Sequence, residues 1–300
     1  MIITKLQHGL GNQLFQYAVG TSLAFLNKTI NKLDISWYSS NSSRDYVLHN
    51  FMIREFIANR DEINTFFCNK SFLKNRNRII KIYNKLFNID HFPYPISVTR
   101  EVESSPHFNP ELFKKRGDIY LEGFWVSYKY IIPEVETRLR NELQLRFPIS
   151  KQATLFKSLI SQCEQPVSLH VRRGDYIIRK DYATKFGSLD INYYQQAINI
   201  LKEKLGNFPI FVFTDDPNWV NNNLFYIHKL TVVSGNNIPD YEELHLMSQC
   251  SHNIIANSTF SWWAAWLNDN PEKIVIAPKK WMNNGNFKLE DIIPQNWIAI

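Results

Sequence analysis

The chain has 300 residues, of which 44% are hydrophobic and 21% charged, and this composition excludes wholesale disorder. Ten glycines and 13 prolines exclude a collagen-like or linker-like sequence. The formal net charge of +6 favours anionic partners such as a nucleotide, a phosphate or a membrane surface. The aromatic residues are not interleaved with a dense basic stripe, so nucleic acid is not a predicted partner.

Cysteine content and hydropathy indicate the compartment. Cys68, Cys163 and Cys250 are too few and too scattered for a disulfide framework, which favours a reducing environment. No segment reaches the ~18 consecutive apolar residues that a membrane span needs. The first residues are typical of a β-strand rather than of a signal peptide, and we therefore expect a cytoplasmic protein.

The first half opens with a predicted βαβ unit. Its parts are strand Ile2–Leu6, a loop through Gln13, helix Leu14–Asn27 and strand Lys32–Ser36. Between residues 41 and 110 the pattern supports helical and irregular pieces but no strand. Strand Ile119–Phe124 and helix Glu134–Leu145 then close this half.

Phe147–Ser150 is the predicted joint, which divides the chain into domains 1–149 and 150–300. Beyond it, helices and short apolar strands alternate, and this order predicts a parallel, doubly wound α/β sheet. The predicted strands of this half are Val167–Val171, Ile210–Phe213, Lys229–Val233, Asn253–Ala256 and Lys273–Ile276. The predicted helices are Lys151–Gln162, Ile191–Leu205, Asn218–Leu224, Tyr241–Gln249 and Phe260–Leu267.

Polar clusters follow four of these strands, where parallel sheets bind ligands. The clusters are His170–Asp175, Thr214–Asp216, Ser234–Gly235 and Asn257–Ser261. Arg172 and Arg173 can donate forked hydrogen bonds to phosphate oxygens, although a solvated basic pair is the alternative. Ser258–Ser261 opens a helix, which makes it either an anion site or a plain helix cap.

The carboxylates do not have the spacing of a metal site. Sugar-nucleotide enzymes that use a divalent ion often carry Asp-x-Asp, and no aspartate pair here is spaced in this way. Asp216 before Pro217 is typical of a helix cap, which leaves Asp215 to accept hydrogen bonds from a ribose or a base. Gly9 and Gly11 lack the third glycine of a dinucleotide fingerprint, which disfavours a dehydrogenase. A non-catalytic sugar-binding module would not explain two arginines at a strand end.

Four segments together resemble the motifs of glycosyltransferase family 11, the α-1,2-fucosyltransferases, in their bacterial form. These segments are His8–Ala18, His170–Tyr176, Phe213–Asp216 and Asn257–Ala265. The motifs lie within residues 1–18 and 165–270, so both halves carry the resemblance. His8 departs from the pattern, because many relatives have glycine there.

The resemblance implies a GT-B fold, with two Rossmann-like domains facing across a cleft. The first domain would lie on the acceptor side and the second would bind GDP-fucose. The implied reaction is inverting transfer of L-fucose from GDP-β-L-fucose to the 2-hydroxyl of a terminal β-galactoside, without a metal or cofactor. Its implied setting is bacterial surface-glycan synthesis, such as that of O-antigen. The alternative is a fucosyl- or other GDP-sugar transferase that makes a different linkage.

The resemblance also implies roles for individual residues. Arg172 would hold the β-phosphate, with Arg173 in support. His170 and Asp215 would meet the guanosine. The residues implied at the pyrophosphate are Ser258, Thr259, Phe260 and Ser261, and those that would approach the donor from the facing domain are Gly9, Gly11, Asn12 and Gln13. Asp175 is a candidate catalytic base, although it could instead only orient an arginine.

Residues 70–87 combine six cations with apolar positions. A basic amphipathic helix of this kind could lie on an anionic inner membrane, which would make the protein peripherally membrane-associated. An ordinary surface helix is the alternative interpretation.

Overall fold

A computed structural model describes residues 1–40, 44–67, 77–78, 96–101, 107–224, 227, 229–283 and 288–300. It divides into two compact units, Met1–Gln144 and Leu145–Ile300. The sequence placed the joint between residues 149 and 150. The predicted membrane-surface helix over 70–87 lies outside the described residues, apart from 77–78.

The first unit is built on a four-stranded parallel sheet with the order β2-β1-β4-β3. Its strands are β1 (Ile2–Lys5), β2 (Asn31–Asp34), β3 (Ile96–Arg100) and β4 (Asp118–Glu122). Its helices are Leu10–Leu26, Ser36–Ser40, Arg60–Phe67 and Pro133–Glu142, with 3₁₀ turns at Leu48–Asn50, Pro110–Lys114 and Tyr128–Tyr130. The predicted βαβ opening is confirmed.

The first helix begins four residues before the predicted Leu14. The Gly9 carbonyl accepts hydrogen bonds from the N–H groups of Asn12 and Gln13, so the glycine-containing loop is already part of the helix start. Gly20 lies in the middle of this helix against β1, where an added Cβ would be 2.0 Å from Thr4 Oγ1. The absence of a side chain at Gly20 therefore lets the helix backbone approach the sheet closely.

Strand β3 was not predicted. It lies at the edge of the sheet, and only Ile96 of its five residues is buried. An edge strand with serine, threonine and arginine does not give the continuous apolar run that marks a strand buried on both faces.

The second unit contains a six-stranded parallel sheet with the order β10-β9-β8-β5-β6-β7, which confirms the predicted doubly wound sheet. Its strands are β5 (Val167–Val171), β6 (Ile210–Thr214), β7 (Leu230–Val232), β8 (His252–Ile254), β9 (Val275–Ala277) and β10 (Ile298–Ala299). Its helices are Lys151–Ser161, Gly174–Ile178, Lys180–Lys185, Ile191–Leu205, Pro217–Asn223, Asp240–Ser248, Thr259–Leu267 and Leu289–Ile292.

Strands β5 and β6 are buried along their whole length, which explains why their apolar runs were readable in the sequence. The short helices Gly174–Ile178 and Lys180–Lys185 were not predicted, because they are mostly solvated and carry no apolar stripe. Within the described residues, no helix is both long enough and apolar enough to cross a bilayer.

Candidate functional site at the carboxyl ends of the second sheet

Three predicted polar clusters meet at one edge of the second sheet. Strand β5 lies between β6 and β8, and all three strands run parallel. The segments that follow them, Arg172–Asp175, Asp215–Asp216 and Asn257–Ser261, therefore emerge side by side. This is the edge at which open α/β sheets bind ligands.

Arg172 is held between two carboxylates. Its Nη2 atom is 2.8 Å from Asp175 Oδ2, and its Nη1 atom is 2.8 Å from Asp215 Oδ2. The guanidinium also lies 5.6 Å from the centre of the Tyr176 ring. The two carboxylates fix the direction of the guanidinium. Because 23% of the Arg172 side chain remains exposed, it is still open to a ligand.

Arg173 is fixed by a separate set of contacts. Its backbone N–H donates to Asp215 Oδ1 at 2.7 Å, and its Nε donates to Asp216 Oδ2 at 3.3 Å. Its guanidinium stacks 4.5 Å from the centre of the Trp219 ring. These contacts make Arg173 a rigid neighbour of Arg172, as a supporting role requires.

Asp215 was predicted to meet a guanosine, and the structure gives its carboxylate other partners. One oxygen accepts from the backbone of Arg173 and the other binds the Arg172 side chain. The predicted cap at Asp216 is confirmed, since its side chain accepts from the N–H of Trp219 at 3.0 Å. Asp175 likewise binds Arg172, which favours orientation of the arginine over its alternative role as a base.

His170 and Ser261 form a buried link between β5 and the helix Thr259–Leu267. The His170 Nδ1 atom and the Ser261 hydroxyl are 2.8 Å apart, and His170 is only 4% exposed. Burial, reinforced by the charge of Arg172, lowers the pKa of His170 to about 3, so the ring is neutral. These two side chains thus join the strand end to the helix start, and their contact with a ligand stays a prediction.

The start of that helix combines a side-chain cap with two half-buried residues. The Ser258 hydroxyl accepts from the N–H of Phe260 at 3.3 Å, which makes Ser258 the helix cap. Thr259 and Phe260 are half-buried, and the hydroxyl of Tyr176 donates to the Asn257 carbonyl at 3.1 Å. The tryptophans Trp262, Trp263 and Trp266 of this helix are buried.

The glycine-rich segment Gly9–Gln13 belongs to the first unit. Gly9 precedes the first helix, with open space where a Cβ would be, Gly11 is buried, and Asn12 is half-buried. Gln13 was predicted to approach the donor, but it is fully buried. Its amide donates to the carbonyls of His8 and Asp45 at 3.0 and 2.9 Å, so it holds this loop in place, and its approach to the donor stays a prediction.

His8 has a φ of 65°, a left-handed conformation that glycine adopts without steric cost. The glycine that the family resemblance leads us to expect at this position would fit that backbone. In this chain the imidazole packs 4.9 Å from the Trp37 ring and 5.1 Å from the Phe124 ring, measured between centroids.

Sequence reasoning missed two contributors to the site, Trp219 and Glu243. Trp219 lies in the first turn of the helix that Asp216 caps, and an aromatic residue there was a readable signal for an arginine partner. Ser234 accepts from the N–H of Thr214 at 2.8 Å and donates to Glu243 Oε2 at 2.9 Å, which braces the end of β6. Nothing local in the sequence marked Glu243.

Glu243 is a half-buried carboxyl with an altered pKa. Its pKa is raised to about 7, chiefly by desolvation and also by the nearby charges of Asp240 and Asp215, while the hydrogen bond from Ser234 acts in the opposite direction. The folded state consequently binds more protons than the unfolded state between about pH 4.5 and pH 7.

Replacing Glu243 with glutamine is expected to raise the melting temperature at pH 8 and to change it little at pH 5. The free energy of unfolding of the wild type falls as pH rises toward 7, because a partly desolvated carboxylate must then be charged. Glutamine keeps an acceptor for Ser234 without that charge. Thermal denaturation at both pH values tests this, with the exposed Glu203→Gln as control. An equal effect at both pH values would contradict the assignment.

Within the described part of the chain, no three His, Cys, Asp or Glu side chains gather in a way that could hold a metal ion. The aspartates at the strand ends instead bind arginines.

Comparison with known proteins gives one family. The model of glycosyl transferase family 11 matches residues 1–300. An alpha-1,2-colitosyltransferase of Escherichia coli is 31% identical, and the alignment covers 100% of this chain and 99% of that protein. The O-antigen biosynthesis glycosyltransferase WbnK of Escherichia coli is 30% identical, with 94% and 95% covered.

A solved structure shows the same fold. The fucosyltransferase NodZ from Bradyrhizobium superposes with a TM-score of 0.50 at 13% identity, over 88% of this chain and 91% of that chain. Two Rossmann-like units with parallel sheets are the GT-B class that the sequence predicted. The match over the full length, together with these motifs at the strand ends, shows that the chain belongs to glycosyl transferase family 11.

Proposed function

We propose that the protein transfers L-fucose from GDP-β-L-fucose to the 2-hydroxyl of a terminal β-galactoside, with inversion and without a metal, during bacterial O-antigen synthesis. Membership of the family over the whole chain supports glycosyl transfer. The α-1,2 linkage is the one named for the colitosyltransferase relative, and O-antigen synthesis is named for WbnK.

One observation carries the proposal: Arg172 is clamped by Asp175 and Asp215 at the end of the central strand β5. When the bond between the sugar and the phosphate breaks, negative charge develops on the departing GDP. A preorganised guanidinium stabilises such charge more than a mobile one does, because it needs no reorganisation during the reaction. Arg172 is therefore assigned to the β-phosphate.

The neighbouring groups complete the proposed donor site. Arg173 is held rigid against Trp219 and adds positive potential. Thr259 and Phe260 lie at a helix start, whose backbone amides and dipole favour an anion such as the pyrophosphate.

The bond changes in the proposed step are as follows. The acceptor 2-hydroxyl oxygen attacks the anomeric carbon of fucose from the face opposite GDP, and the bond from that carbon to the phosphate oxygen breaks. Asp175 orients Arg172 in this scheme. The hydroxyl proton leaves the acceptor oxygen late, after the new C–O bond has formed, and passes to solvent water on the attacked face, while GDP departs from the opposite face. No separate carboxylate base is then required.

Incubation of the purified chain with GDP-fucose and a panel of β-galactosides, followed by NMR of the product linkage, tests the proposal. An α-1,2-linked fucosyl galactoside is the expected product. A product with another linkage, or no transfer to any β-galactoside, would overturn it.

A second donor is favoured by the colitosyltransferase relative. Colitose differs from fucose only by lacking the 3-hydroxyl, so the same arginine clamp suits both GDP-sugars. Parallel kcat/KM measurements with GDP-fucose and GDP-colitose decide between them, because a site that hydrogen-bonds the 3-hydroxyl rejects the deoxy sugar strongly.

Activity is expected to persist in excess EDTA, because the proposed charge stabilisation comes from Arg172 and helix amides rather than from a cation. Initial rates with and without the chelator, and after adding back Mg²⁺ or Mn²⁺, measure this. Complete loss of activity that a divalent ion restores would contradict the metal-independent mechanism.

A further inference from the structure

Tyr176 lies between the two parts of the proposed pyrophosphate site. It belongs to the short helix Gly174–Ile178, and its side chain is half-buried. One part of the site is the Arg172 guanidinium beyond the end of β5, and the other is the helix start at Thr259. The pairing of β5 with β8 brings both parts to one edge of the sheet, and side-chain contacts between them set their finer spacing.

The Tyr176 hydroxyl is bonded to the segment that opens the helix. It donates to the Asn257 carbonyl at 3.1 Å, and Asn257 directly precedes the helix cap Ser258. The Asn257 side chain is only 2% exposed, and its amide donates to the carbonyls of Gly187 and Trp281 at 3.0 and 3.3 Å. The segment that Tyr176 holds is therefore fixed from other directions as well.

The Tyr176 ring contacts the arginine part of the site. The Arg172 guanidinium carbon lies 5.6 Å from the ring centre, within the ~6 Å range of a cation–π contact. The Phe186 ring stacks on the Tyr176 ring, with centroids 5.2 Å apart and planes 10° from parallel. This stack fixes the plane of the ring against which the guanidinium lies. One side chain thus contacts Arg172 and is hydrogen-bonded to the segment before the helix start.

A pyrophosphate makes the spacing of these two parts important, because its two phosphates share one bridging oxygen. Two groups hold such a ligand together only if the distance between them matches the ligand. Functional groups of this kind must be held within about 0.5 Å of the productive geometry by neighbouring side chains. Tyr176 occupies the position from which a single residue can maintain that distance.

We propose that Tyr176 is a positioning residue that fixes the distance between Arg172 and the helix start at Thr259, so that both hold the pyrophosphate at once. This inference rests on the proposed function for the assignment of Arg172 to the β-phosphate. Tyr176 acts through Arg172 and Asn257, and no contact with the sugar is assigned to it.

Calorimetric titration of the full chain with GDP and with GMP tests the assignment. GMP lacks the β-phosphate and so cannot engage both parts of the site in the same way. Tyr176→Phe keeps the ring and is expected to weaken GDP binding about fivefold, the loss that one hydrogen bond of ~1 kcal/mol gives. Tyr176→Leu also removes the ring contacts and is expected to weaken GDP binding a further two- to fivefold, roughly the worth of an exposed cation–π contact. GMP binding should stay close to that of the wild type in both variants.

Tyr193→Phe is the matched control. The Tyr193 hydroxyl donates to the Ile255 carbonyl at 2.6 Å, just after β8, but from the helix Ile191–Leu205 rather than from the arginine segment. This variant is expected to melt at a lower temperature and to keep the wild-type ratio of GDP to GMP affinity.

Equal weakening of GDP and GMP binding in Tyr176→Phe would indicate a merely structural role and overturn the inference. An unchanged affinity for GDP in that variant, or a wild type that binds GDP no more tightly than GMP, would also overturn it. Failure of the proposed function gives a different pattern, in which the nucleotide affinities follow the expected order but no fucose is transferred to any β-galactoside.

Discussion

Replacing Arg172 with alanine is expected to lower kcat/KM at least about 100-fold, which corresponds to ~2.7 kcal/mol of transition-state stabilisation. The substitution removes the cation assigned to the β-phosphate. It also removes the cation that Asp175 and Asp215 both bind, so the negative charges of these two carboxylates act more strongly on the departing GDP. Initial-rate kinetics with a saturating acceptor and varied GDP-fucose measure the loss.

Arg179→Ala is the matched control, because Arg179 lies seven residues further along, is 52% exposed and pairs with Asp181, which is itself 63% exposed. Its kcat/KM should stay close to wild type. Arg172→Lys keeps the charge without the two-armed geometry and is expected to recover only part of the activity. A rate for Arg172→Ala near that of the wild type would remove Arg172 from the mechanism.

Replacing Gly20 with alanine is expected to destabilise the protein by about 3 kcal/mol, near the upper end of the usual cost of overpacking. The added methyl group would be 2.0 Å from Thr4 Oγ1 and 2.6 Å from the Asn31 amide, so the first helix must move away from the sheet. The hydrogen bond from Thr4 to Asn31, 2.7 Å long, lies directly at the clash. Equilibrium denaturation by urea measures the change in the free energy of unfolding.

The Thr4→Ala background provides the control for this prediction. Removing the Thr4 hydroxyl deletes the nearest clashing atom, so Gly20→Ala should cost less in that background than in the wild type. Equal costs in the two backgrounds would show that the close approach of helix and strand is not the cause.

The second sheet could be predicted because the signal for each of its central strands lies within one short stretch of sequence. Strands β5 and β6 are buried on both faces, so each appears in the sequence as an uninterrupted apolar run. Parallel strands place their carboxyl ends at one edge of the sheet. The order of strands and polar segments in the sequence therefore predicted that Arg172, Asp215 and Ser258 lie at the same edge. Strand β3 was not predicted, because an edge strand needs only one buried face and so shows no uninterrupted apolar run in the sequence.

The partners of the site residues could not be predicted. Whether Asp215 faces a base or an arginine depends on contacts with the Arg172–Arg173 pair, which precedes it by more than 40 residues. Ser261 binds His170, 91 residues earlier, and the burial of that pair follows from the packing of β5 against the helix. Sequence spacing identifies the residues at the edge, but side-chain geometry decides which of them remain open to a ligand.

The order of strands in the first sheet has a consequence for synthesis of the chain. Ile2 of β1 pairs with Asn31 of β2 on one side and with Ile119 of β4 on the other. During translation β1 therefore has one unpaired edge until β4, which ends at Glu122, has been synthesised. Unpaired strand edges can pair with strands of other chains. A fragment that stops before Asp118 lacks β4, one of the two central strands of the sheet. Nascent chains of that length are therefore expected to depend on chaperones.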